Sequence, residues 1–152
     1  MNAEAYQHVL VPLDVSDEAR QVLARARDLA TRYGSRLTLL HVVEPVIIDT
    51  SYDLIGPLPV EIDAPLLERG CDFLQRIARE FDLGDAKQQV ELGPVKGTIL
   101  EYAKENGVDL IVIGTHGRHG VKLLLGSTAN AVLHGTPCDV HAVRIHENGE
   151  SD

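Results

Sequence analysis

The 152-residue sequence has no tryptophan, a single methionine and only 4% aromatic residues, so its core must be built from aliphatic side chains. Two cysteines, Cys71 and Cys138, are too few for a disulfide framework. With 44% hydrophobic residues the chain has material for a conventional core and no need of such staples. Both points lead to reduced thiols and a cytoplasmic setting. Apolar runs extend for only a handful of residues, far short of a membrane span. No basic start followed by an apolar stretch marks a secretory signal. Neither an internal repeat nor a low-complexity tract is present, and the length predicts one domain over residues 1–152.

Lysine and arginine are also scarce, 14 against 23 acids, giving a net charge of −9. That balance excludes nucleic acid and anionic membranes as partners, because binding phosphate backbones needs clustered bases. The excess is local. Between Leu37 and Glu68 lie six acids and no Lys or Arg, the last six residues hold three more acids and no base, and the remainder balances 14 acids with 14 bases. The body is neutral, while one internal segment and the tail are acidic.

Short apolar runs punctuate the chain. His8 to Asp14 reads as a buried strand, as does Leu37 to Val43. Between them Ala19, Val22, Leu23, Ala26, Leu29, Ala30 and Tyr33 recur at helical spacing. Ser16-Asp17-Glu18 reads as a cap with first-turn acids, and Gly34 takes the position after the helix end. Residues 44–63 hold three prolines and a glycine with no clear period, a long loop suited to contact a protein partner. A helix follows on Leu67, Cys71, Leu74, Ile77, Ala78 and Phe81, closed by Gly84. Gln88 to Leu92 is a weaker strand, Ile99, Leu100 and Ala103 mark a helix ended by Gly107, and Leu110 to Ile113 is the strongest strand signal. A last helix over Ser127 to His134 and a last strand over Val140 to Ile145 complete the chain. Strands alternating with helices predict an α/β fold, a parallel sheet covered on both faces.

In open α/β sheets ligands bind beyond the carboxyl ends of the strands, where the strand order reverses. The candidates are therefore Asp14 to Ser16, His41 to Glu44, Gly93 and the segment from Gly114 to Gly120, which holds three glycines, two histidines and Arg118. Glycines allow backbone amides to approach an anion, and Gly126-Ser127-Thr128 opens a helix whose N-terminus offers unpaired N–H donors. No acid occurs from Leu110 to Cys138, while Arg118 and Lys122 both do. This describes a phosphate pocket, against the alternative that the glycines only allow a tight turn. A Walker A loop is excluded by spacing, and a dinucleotide fingerprint by the lack of glycine after the first strand.

These residues resemble the universal stress protein family over nearly the whole chain. The resemblance is carried by Val11-Pro12-Leu13-Asp14-Val15-Ser16, Leu40-His41-Val42-Val43, Asp109 to Gly114, Gly114-Thr115-His116-Gly117, Gly126-Ser127 and Pro137-Cys138-Asp139-Val140. It implies a five-stranded parallel sheet in the order 3-2-1-4-5 and an ATP-binding sensor or regulatory module of the stress response with little or no catalysis. Pro12, Asp14 and Val42 would hold adenine and ribose. Gly114, Gly117, Gly126, Ser127 and Thr128 would hold the phosphates, with Mg or Mn bound through them; Ile113 joins the cofactor-binding set, and His116 and Arg118 would touch phosphate or simply cap the loop. In a chain without tryptophan, adenine would rest on aliphatic side chains. The family's nucleotide motif is Gly-x2-Gly-x9-Gly-Ser/Thr; here Gly114-x2-Gly117 is intact, the Gly126-Ser127 pair is kept, and eight residues separate Gly117 from Gly126. The resemblance also implies a homodimer through the last strand, 140–145. The alternative is a dimeric interaction module of the same fold that binds no nucleotide.

Other chemistries find less support. His116, His119 and His41 lack a Cys or carboxylate at metal-binding spacing. Asp14 has no acid partner and reads equally as a helix-preceding cap. Ser127 lacks the Gly-x-Ser-x-Gly setting of a nucleophile, so no catalytic residue is assigned.

Overall fold

The fold is described from a computed structural model of the chain, covering residues 4–45, 63–115 and 126–146. Five strands and four helices alternate in it: β1 (His8–Pro12), α1 (Ala19–Tyr33), β2 (Arg36–Val43), α2 (Asp63–Glu80), β3 (Lys87–Leu92), α3 (Val95–Glu105), β4 (Leu110–Gly114), α4 (Ser127–Gly135) and β5 (Asp139–Val143). The strands form one parallel sheet in the order β3-β2-β1-β4-β5, as the sequence resemblance implies. β1 lies at the centre because it is apolar on both faces; Val9, Leu10 and Val11 are fully buried. Parallel strands need crossovers, and each helix supplies one while covering a face.

The pleat sends alternate residues to two cores. On one face Val9, Val11, Leu37, Leu39, Leu110 and Val112 pack with the apolar stripes of α1 and α2. On the other, Leu10, Leu40, Ile111 and Ile113 pack with Ile99, Tyr102, Ala103, Ala129 and Val132 of α3 and α4.

Element ends show where local signals were overridden. Gly34 and Gly107 take left-handed backbone after α1 and α3, as expected of glycines past a helix end. After α2 that role falls to Asp82 (φ 56°), two residues before Gly84, with Leu83 N–H donating to the Ala78 carbonyl at 2.7 Å. Aspartate tolerates this conformation better than most side chains. Ser16 does not cap α1. The position before the helix is Glu18, no side chain caps it, and the Ser16 hydroxyl turns back to Asp14 instead. Asp17 and Glu18 thus precede the first turn. In α2, Cys71 points outward, while Gly70 and Phe73 face the sheet. Among the described residues no helix is long and apolar enough to cross a membrane.

Candidate functional site

Between β1 and β4 the sheet order reverses, since the chain crosses from β1 to β2 on one side and returns to β4 on the other. At the carboxyl ends of these two strands the helices diverge and leave a cleft of about 440 Å³. Its volume falls within the range of about 300–1,000 Å³ typical of small-molecule sites. Eight of the residues singled out from the sequence line it: Pro12, Asp14, Val42, Ile113, Gly114, Gly126, Ser127 and Thr128. The other three, His116, Gly117 and Arg118, lie outside the described residues, as do His119, the acidic segment 46–62 and the acidic tail from Glu147.

The cleft has three chemically distinct walls. Its depth is aliphatic, formed by Pro12, Leu40, Val42, Val95, Ile99 and Ile113. Leu40, Val95 and Ile99 were not foreseen as site residues. Val95 and Ile99 sit one turn apart on α3, and in a sequence that spacing cannot separate a core stripe from a ligand-facing one.

The second wall is the turn after β1. Leu13 continues the β1–β2 ladder one residue further, its N–H donating to the Leu40 carbonyl at 2.8 Å. Asp14 follows, exposed at the rim, its carboxylate accepting the Ser16 hydroxyl at 2.6 Å and its carbonyl accepting the Ser16 N–H at 2.9 Å. Glu18, which sequence reasoning left out, stands beside it. This wall presents carboxylate oxygens, acceptors suited to hydroxyl or amino donors.

The third wall is the start of α4. Gly126 occupies the capping position with no side-chain acceptor to offer, and the first bond into the helix runs from Asn130 N–H to the Gly126 carbonyl at 2.9 Å. The amides of Ser127, Thr128 and Ala129 therefore make none of the bonds that a Ser or Asp cap would supply. They bring the positive end of the helix dipole to the cleft. Gly126 has φ −59° and ψ 157°, which any residue can adopt. Gly114 is different again: a Cβ there would come within 3.1 Å of Val22 and 3.2 Å of Ile145. A side chain at 114 would press on the Val22 and Ile145 side chains, which pack β4 against α1 and the segment after β5. Packing against these two side chains and lining the cleft are both open to Gly114.

Among the described residues no group of His, Cys, Asp and Glu could hold a metal ion. His41 faces away from the cleft, its Nδ1–H donating to the Leu13 carbonyl at 2.8 Å. Burial pushes the Cys138 thiol up from its ordinary range, and Thr136 hydrogen-bonds it, so it is packing rather than a reactive thiol.

A sequence model of the Universal stress protein family matches residues 5–144. The chain is similar to Universal stress protein A homolog 2 of Coxiella burnetii, with 42% identity over 143 residues, 92% of this chain and 96% of that protein. The universal stress protein UspA from Lactobacillus plantarum has a similar structure, with a TM-score of 0.73 and 29% identity, covering 94% of this chain and 100% of its own. A universal stress protein crystallised in complex with cAMP shares the fold at a TM-score of 0.63 and 24% identity, covering 91% of this chain and 97% of its own. A parallel sheet in the order 3-2-1-4-5, the sequence match across nearly its full length and these relatives agree: the chain belongs to the universal stress protein family.

Proposed function

We propose that the cleft binds an adenine nucleotide, ATP with Mg or Mn held through its phosphates, and that the protein is a cytoplasmic sensor or regulatory module rather than a catalyst. The observation that carries this reading is the uncapped start of α4 facing a carboxylate wall across an aliphatic floor. A flat apolar base fits the floor formed by Pro12, Val42, Ile99 and Ile113. Sugar hydroxyls fit the acceptors of Asp14, and phosphate fits the amides of Ser127, Thr128 and Ala129. A bound cation would offset charge among the phosphate oxygens. The Asp14 carboxylate is engaged by the Ser16 hydroxyl, which suits a binding role better than that of a general base.

Titration of nucleotide-stripped protein with Mg-ATP tests the reading. Saturable heat is expected, weaker for AMP than for ATP. Gly126→Leu should lower the affinity at least about tenfold, equivalent to ~1.4 kcal/mol, with an unchanged melting temperature. The backbone at 126 accepts a side chain, so the loss would report filled space rather than strain. Absence of heat at millimolar ATP overturns the reading and leaves a fold that serves as an interaction module.

A further inference from the structure

The geometry points to His41 as a positioning residue for Asp14, an inference that rests on the nucleotide reading of the cleft. His41 never reaches the cleft. On β2 its neighbours Leu40 and Val42 face the ligand side, and by alternation its own ring lies on the opposite face, towards α2. From there Nδ1 meets the Leu13 carbonyl at 2.8 Å, and since a carbonyl only accepts, the ring proton sits on Nδ1. The Leu13 carbonyl belongs to the same planar peptide as the Asp14 nitrogen. Holding that oxygen fixes the plane from which the Asp14 Cα and side chain depart. Leu13 is held at its other polar atom by Leu40, and Asp14 is held downstream by two bonds from Ser16. The His41 bond completes the set, clamping the turn on both sides of Asp14.

The rest of the molecule accommodates the ring in a way that packing alone would not need. Gly70 lies inside α2, where glycine is about 1 kcal/mol worse than alanine. A Cβ at 70 would stand 2.8 Å from His41 Cδ2 and 3.2 Å from a Val90 methyl. One turn along the helix, Phe73 meets the ring edge to face, with centroids 6.0 Å apart. The helix thus gives up intrinsic stability where the imidazole that reaches Leu13 packs against it. α2 gains a mechanical connection to the ligand site, although none of its residues touches the cleft.

The test compares His41→Asn, whose amide nitrogen falls close to the position of Nδ1 and keeps the donor, with His41→Leu, which keeps bulk and loses it. Without ligand, the backbone order parameters at Asp14 and Ser16 should stay near about 0.85 in the wild type and the Asn variant. They should fall below about 0.6 in the Leu variant. ATP affinity should drop at least about tenfold in His41→Leu and stay within about threefold in His41→Asn. A purely structural histidine would lower stability and leave both readouts unmoved. Should the Leu variant not fold, Gly70→Ala displaces the ring from the helix side while improving the helix, and the same loss of order at Asp14 is expected. Unchanged order in both Leu and Ala variants overturns the role of His41 whether or not the protein binds nucleotide. Wild-type protein that binds no ATP, yet loses order at Asp14 in these variants, sinks the nucleotide reading and keeps the clamp.

Discussion

The two ends of the same sheet are built on opposite principles. At the carboxyl ends of the strands, polar groups are left facing a cleft. At the amino ends the polar groups nearest the strands bond to one another, although a groove lined by Arg36, Lys87 and Asn106 opens beside them. The Asp109 carboxylate accepts the N–H groups of Gln7 at 2.8 Å and His8 at 2.9 Å, and the Asp109 N–H returns a bond to the His8 carbonyl at 3.1 Å. His8, only 4% exposed, donates from Nδ1 to the Asn106 carbonyl at 3.1 Å, which leaves Nε2 to accept the Thr38 hydroxyl at 2.8 Å. Tyr6 donates to Asp139 at 2.7 Å; that bond, with burial behind it, pushes the phenol up to about 12. Buried polar atoms are tolerated when they are bonded. The sealed end therefore carries stability, and the open end forgoes some of it to keep donors available.

Breaking the sealed end should give the largest effect. Asp109→Ala removes one charged acceptor from two amides; such bonds are worth about 1.5–3 kcal/mol each, and because the Gln7 bond is exposed to water and the His8 bond only partly buried, a loss of about 2–4 kcal/mol is expected. The urea midpoint should fall accordingly, while nucleotide affinity at the far end of the strands should hold. Equal losses in both would show that the two ends are not separate devices.

A smaller effect is expected from the open end itself. Gly114→Ala inserts a methyl group between Val22 and Ile145, an overpacking that costs about 1–3 kcal/mol. The urea midpoint should drop even though residue 114 lines the cleft. Ligand binding lost at full stability would instead make Gly114 a ligand glycine, and the contrast between the two ends would sharpen.

The sequence exposed the sheet more readily than the cleft, for a physical reason. Strand and helix signals are local: the run Leu110 to Ile113 and the glycines at 34 and 107 mark elements through backbone preference and periodicity within a few residues. Asp14, Gly114 and Gly126 were recognisable because strand ends in this fold converge and because their residue types match a known pattern. What stayed hidden depends on distant partners. Ser16 is the local exception: it has the chemistry of a helix cap, yet its hydroxyl bonds the Asp14 carboxylate two residues back. Cys71, expected on the inward stripe, points outward, and Gly70 takes the inward place beneath the His41 ring. Gly84 carries the better turn residue, yet the chain leaves α2 at Asp82, where Leu83 can already pack inward. The floor from Val95 and Ile99 is a core stripe that happens to end in open space.

The most delicate test of the sealed end is titration, because it removes no atoms. Burial depresses the His8 imidazole below its usual 6.5, helped by the charges of Arg36 and Lys87 and opposed by the Asn106 carbonyl and Asp109. In the unfolded chain the imidazole takes up a proton near its ordinary value, while in the folded protein it does so only at lower pH. Between those two points the unfolded state binds more protons, so stability must rise with pH. The contribution is complete above about pH 6.5 and is lost as the pH falls through the folded value. Carboxylates elsewhere also titrate on the acid side, so the measurement is a difference: urea midpoints across this range for the wild type and for His8→Gln. The wild type should lose more midpoint on acidification than the variant. Parallel curves would mean that His8 takes its proton without opening the network, and the amino end would then be less tightly sealed than its hydrogen bonds suggest.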